Sequence, residues 1–143
     1  MIAISVDLGH ARTGLAVSDK SGFLASSLCV ITERDDEKLI EKIAEKVKET
    51  KAEMIVVGLP RNMDGSEGES AQRARAIAEK LTEYTGVAHH MQDERGTTIT
   101  AHNYLSAGNV YGKKRKQRVD AVAASIILQN YLDSNTIIWL KAK

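Results

Sequence analysis

The chain has 143 residues, 43% hydrophobic and 27% charged, with one cysteine and a formal net charge of +1. That length supports a single domain over residues 1–143 with a core of its own, and no apolar run reaches the roughly 18 residues a membrane span needs. Lone Cys29 excludes an internal disulfide, Asp7 interrupts the first apolar segment before a signal-peptide core can form, and aromatics at 4% argue against a base-stacking platform, so a cytoplasmic protein with no membrane partner is expected.

Ile2, Ile4 and Val6 alternate with Ala3, Ser5 and Asp7, the period of a strand. Asp7 ends that strand on the same face as two small residues. A turn over Gly9 to Arg12 leads to a second strand, Thr13 to Ser18, and the turn residues Asp19 to Gly22 lead to a third, Phe23 to Ile31, with Cys29 as a buried strand residue. Leu39, Ile40, Ile43, Ala44 and Val47 then recur at helical spacing, so Asp35 to Thr50 is an amphipathic helix. Met54 to Leu59 is a continuous apolar run, as in a parallel strand covered on both faces. Ser66 and Glu69 have the spacing of a capping box ahead of a helix carrying Ala74, Ile77, Ala78 and Leu81. Val87 to Gln92 reads as a fifth strand, Thr97 to Ala107 as a helix stopped by Gly108, and Arg118 to Asp133 as the last helix. The tail Thr136 to Leu140 is either a packed extended segment or a short strand. This order predicts an α/β fold: a five-stranded mixed sheet, three antiparallel strands followed by parallel ones, with helices on its faces.

In such a sheet the ends of the first, fourth and fifth strands share one edge, where ligands bind. Asp7, Asp93 and Glu94 fall at these ends, and Asp120 opens the last helix, where the dipole stabilises a negative charge by about 0.3–1 kcal/mol. Alternation puts Asp93 and Glu94 on opposite faces, so one of them points where Asp7 does. Carboxylates converging without His or Cys suit Mg²⁺ or Mn²⁺. Two such ions, roughly 3.5–4 Å apart, would clamp a phosphodiester. The other reading of these positions is unrelated surface acids and a helix cap.

Four blocks, VDLGHARTGLAVSD (Val6 to Asp19), VVGLPRNMDGSEG (Val56 to Gly68), DERGTT (Asp93 to Thr98) and RVDAVAASIILQNYLD (Arg118 to Asp133), together resemble the YqgF family, also called RuvX. They occur in family order and span nearly the whole chain. The resemblance implies an RNase H-like nuclease domain, with Asp7, Glu94 and Asp120 as catalytic acids holding one or two Mg²⁺ or Mn²⁺ ions. It implies cleavage of precursor 16S rRNA or, as the alternative, of Holliday junctions. Gly96 departs from the family's usual leucine after the D-E-R triplet but leaves the acids in place.

Around the acids, Arg12 can contact a substrate phosphate or pair with a nearby acid, and Arg95 can neutralise developing charge or orient the acids. The resemblance suggests that Asn62, Gly65 and Ser66 line a substrate cleft. Lys113, Lys114, Arg115, Lys116 and Arg118 form a dense basic run just before Asp120. It is either a solvated loop or a grip on the nucleic-acid backbone that gives affinity without sequence reading. The four histidines, His10, His89, His90 and His102, lack metal spacing. Structured RNA or branched DNA is the expected partner, and a junction-cutting protein would also need a homodimer. Two other classes fit parts of the pattern. One is an ATPase of the actin or sugar-kinase type, though the chain has length for only one of the two lobes such enzymes use. The other is a non-catalytic nucleic-acid binder.

Overall fold

Ile4 and Val6 turn to one face of a sheet, and Ala3 and Ser5 turn to the other. This split organises the molecule. The computed structural model describes residues 1–62, 64–94 and 121–134. Its strands are β1 (Ala3–Leu8), β2 (Arg12–Ser18), β3 (Ala25–Thr32), β4 (Met54–Leu59) and β5 (Ala88–Asp93), and its first two helices are α1 (Asp36–Thr50) and α2 (Glu69–Thr85). Residues 121–134 form a further helix. The sheet order is β3-β2-β1-β4-β5, antiparallel through the first three strands and parallel from β1 to β4 to β5. The mixed sheet expected from the sequence is the one observed.

Ile4, Val6, Leu15, Ile55 and Val57 pack against Leu39, Ile40 and Ile43 of α1 and Ala74, Ile77 and Leu81 of α2. On the opposite face, Ala3, Ala16 and Val56 meet Ala124, Ile127, Leu128, Tyr131 and Leu132 of helix 121–134. Small residues on both sides let this helix lie close: the Ser5 hydroxyl donates to the Ala124 carbonyl at 2.7 Å, satisfying a fully buried polar group. The His90 and Tyr131 rings meet at 4.9 Å, extending the same contact to β5.

Asp35 caps α1, its carboxylate accepting from the Glu37 and Lys38 amides, and Lys51 closes the helix in the left-handed region. Three local readings need correction. The third strand starts at Ala25, because the Asp19 carboxylate accepts from the Phe23 and Leu24 amides. The turn therefore extends through Leu24 and leaves both apolar side chains exposed. Cys29 is half-buried, because β3 is an edge strand. Ser66 does not cap α2. Its hydroxyl is engaged with Asp64 and Asn62, and the helix begins after Gly68 without a side-chain cap.

Among the described residues, no helix is long and apolar enough to cross a membrane. The expected helix at Thr97 to Ala107 and the tail Thr136 to Leu140 lie outside the described residues.

Candidate active site

β1, β4 and β5 run parallel, so their carboxyl ends share one edge of the sheet. Asp7 sits near the end of β1, directly opposite Gly14 of β2. By alternation it faces the same side as Ala3 and Ser5, toward helix 121–134. Glu94 follows the last residue of β5, and its amide donates to the Leu59 carbonyl at 3.2 Å, continuing the ladder one step beyond Asp93. It therefore shares the face of His90, which is also the face of Asp7.

The two acids belong to strands that are not neighbours. With strands about 4.8 Å apart, β1 and β5 are separated by about 10 Å. The Glu94 and Asp7 side chains reach toward each other from the two strands and close this gap together with a hydrogen bond. The Glu94 side chain passes over β4 at Gly58, where a Cβ would collide with the Glu94 carboxylate and lie 2.9 Å from Ile127 Cδ1. Sequence reasoning did not single out Gly58, although a glycine inside the buried run MIVVGL is itself a sign that another group approaches the backbone closely.

The electrostatics follow from this contact. Burial pushes the Glu94 carboxyl up to about 8, and the Asp7 charge, the hydrogen bond to Asp7 and the Asp93 charge add to the shift. Near neutral pH the pair holds one proton between two carboxyls. Asp93 points away, with its Oδ2 3.9 Å from Arg61 Nη1. Arg61 also lies 3.6 Å from Glu67, which Arg75 engages through two bonds of 2.8 and 2.9 Å. This chain of charges ties the loop after β4 to the end of β5.

Asn62, Gly65 and Ser66 all lie in that loop. The Asn62 amide group donates to the Ser66 hydroxyl at 2.8 Å, and Gly65 takes a φ of 91°, a conformation that favours glycine. Arg12 opens β2 beside the end of β1, across a turn so tight that a Cβ on Gly9 would collide with the Arg12 carbonyl. Arg73 of α2 fixes this turn by donating from Nη1 to the Gly9 carbonyl at 2.9 Å while gripping Asp36 of α1. Asp120, Arg95, Lys113, Lys114, Arg115, Lys116 and Arg118 lie outside the described residues. Among the described residues no group of three or more His, Cys, Asp or Glu side chains is placed to hold a metal ion. His89 instead bonds the Thr82 hydroxyl at 2.7 Å.

The five-stranded mixed sheet of order β3-β2-β1-β4-β5, with helices on its faces, is an RNase H-like fold. Its overall course matches that of Thermus thermophilus RuvC, solved in complex with a Holliday junction substrate, with a TM-score of 0.61 at 15% identity over 95% of this chain and 96% of that one. The sequence profile of the family described as "RuvX: Holliday junction resolvase" matches residues 1–134, and the chain belongs to this family. A Leuconostoc citreum relative named "Putative pre-16S rRNA nuclease" is 41% identical over 138 residues, covering 94% of this chain and 96% of that protein. An Anaeromyxobacter relative of the same name is 44% identical over 130 residues, covering 91% and 95%.

Proposed function

We propose that this protein is a divalent-metal-dependent nuclease of the cytoplasm that hydrolyses a phosphodiester bond at the 5′ end of precursor 16S rRNA. The observation that carries the reading is the hydrogen-bonded Asp7–Glu94 pair at the carboxyl edge of the parallel strands. Two carboxyls held together, one obliged to keep a proton, form an all-oxygen donor set that suits a hard cation such as Mg²⁺ or Mn²⁺. Asp7 and Glu94 would hold it, with Asp120 as the third ligand. When bound there, the ion supplies charge neutralisation at the scissile phosphate and an acidified water.

The chain's own residues do the rest. Glu94 holds the proton of the acid pair and would have to release it in order to serve as a ligand. Arg12 and Arg95 hold the substrate phosphates, and Asn62, Gly65 and Ser66 line the approach from the loop after β4. Lys113, Lys114, Arg115, Lys116 and Arg118 grip the backbone without reading bases. The RNA assignment is supported by the names of the relatives.

The family description supports a second reading, cleavage of Holliday junctions. That activity requires two active sites related by a two-fold axis, and hence a homodimer. A side-by-side assay of precursor 16S rRNA and four-way DNA junctions, each with Mg²⁺, Mn²⁺ or a chelator, separates the two. Metal-dependent cutting of the RNA is the expected result. Paired symmetric cuts in the junction alone would move the assignment to a resolvase. Metal-insensitive binding without cleavage of either would make the protein a non-catalytic binder.

A further inference from the structure

We infer that Gly58 is a positioning residue: its missing side chain opens the course by which the Glu94 carboxyl crosses β4 to reach Asp7. The inference rests on the nuclease reading for its catalytic consequence, and on geometry alone for its structural one.

β4 is the strand between the two acids. Any side chain at position 58 on this face would stand between them. The atoms nearest a Cβ there belong to the Glu94 carboxyl and to Ile127 Cδ1. Both are tips of flexible side chains rather than backbone, so the fold can accept alanine by moving them. Moving Glu94 breaks its contact with Asp7. A glycine in a buried strand also weakens the strand and adds to the conformational entropy lost on folding. A branched side chain such as that of Val56, two residues earlier on the same face, would avoid both penalties. Here the open backbone serves the acid pair. The same spot receives Ile127 of helix 121–134, so Gly58 sets the clearance of that helix above the pair as well.

The test uses the full chain and three variants: Gly58→Ala, Gly58→Ala with Ile127→Val, and Glu94→Asp, whose carboxyl is one methylene shorter and stops short of Asp7. Three quantities are read: the contact between the Glu94 and Asp7 carboxyls in crystal structures of each protein, Mn²⁺ binding by calorimetry, and cleavage. Gly58→Ala should melt near the wild-type temperature. Its Glu94 carboxyl should be displaced from Asp7, and Mn²⁺ should bind about tenfold or more weakly, with kcat falling while KM holds. Adding Ile127→Val should not restore these properties, and Glu94→Asp should bind Mn²⁺ as weakly as Gly58→Ala.

An unchanged Glu94–Asp7 contact and unchanged Mn²⁺ binding in Gly58→Ala would overturn the inference. So would recovery on adding Ile127→Val, which would make Gly58 a packing residue for the helix. If Gly58→Ala does not fold, the double variant and Glu94→Asp decide the matter on the same readouts. A wild-type protein that cuts neither RNA nor DNA, but whose Glu94–Asp7 contact is lost in Gly58→Ala, would refute the nuclease reading and leave the positioning role standing.

Discussion

Glu94, just beyond β5, hydrogen-bonds Asp7 of β1 across an intervening strand. The contact brings two acids far apart in the chain to one point at the sheet edge. It also leaves the folded chain with a carboxyl that resists ionisation, and this has consequences that can be measured.

The first is a pH dependence. Glu94 releases its proton near 4.5 when unfolded but near 8 when folded. Between these values the folded chain binds more protons than the unfolded one, so its stability falls as pH rises. The contribution is complete below about 4.5 and gone once the pH passes about 8. Thermal melts across this range, without divalent ions, should show the fall attributable to Glu94 when wild type is compared with Glu94→Gln. Adding Mn²⁺ should reverse it. A difference between the two proteins that does not vary with pH would contradict the prediction.

Glu94→Gln separates stability from activity. Glutamine keeps the shape and can still bond Asp7, but carries no carboxyl that must hold a proton against its preference. At pH 7, which lies about 2.5 pH units above the unfolded value, the variant should be more stable than wild type by up to about 3 kcal/mol, and it should lose cleavage. Denaturant unfolding and the RNA assay, run on the same preparation, check both halves.

Helix 121–134 is sensitive to volume where it meets β1. Ala3 and Ala124 are fully buried, and Ser5 donates to the carbonyl of Ala124. Ala124→Leu should cost about 1–3 kcal/mol by overpacking. Ser5→Ala should cost about 1 kcal/mol through the lost bond. Urea unfolding curves give both values, and a neutral Ala124→Leu would show that the helix is free to shift.

Arg73 joins three elements by bonding Asp36 of α1 and the Gly9 carbonyl from α2. The hydrogen bond from Arg73 holds the Asp36 carboxyl below its usual range. Arg73→Lys keeps the charge but not the planar fork. With partial solvent screening, the loss should be roughly 1 kcal/mol, larger at neutral pH than in acid, where Asp36 is protonated. A melt series across pH tests the sign.

Replacing Lys113, Lys114, Arg115, Lys116 and Arg118 by alanine should weaken RNA binding and flatten its dependence on salt, because fewer counterions are released. Filter binding at several salt concentrations measures the slope. An unchanged slope would assign the run to solvent.

The sheet was legible because its patterns are unambiguous. Ile4 and Val6 alternate with small residues, and MIVVGL is apolar throughout because Ile55 and Val57 face one layer of helices while Val56 faces the other. Asp35 reads from the sequence as the first residue of the helix, whereas it stands just outside α1 as the cap, because helical spacing of the apolar residues does not mark the boundary. The motif S-x-x-E at Ser66 misled because Asp64 competes for the same hydroxyl, at 2.6 Å, and a four-residue pattern does not include that competitor. Phe23 and Leu24 read as strand because they are apolar, yet Asp19 holds their amides in the turn. Asp7 and Glu94 stand out as acids at strand ends. Gly58 does not, because its role depends on strand order: only when β4 lies between β1 and β5 does a missing side chain become a passage.

The most direct test of the proposed metal site is Mn²⁺ calorimetry on wild type and Asp7→Asn at pH 7, with cleavage of precursor 16S rRNA followed in parallel. Wild type should bind the ion with release of the Glu94 proton and cut the RNA, while Asp7→Asn, still folded by circular dichroism, should do neither. Equal binding and equal cleavage by the folded variant would contradict the account.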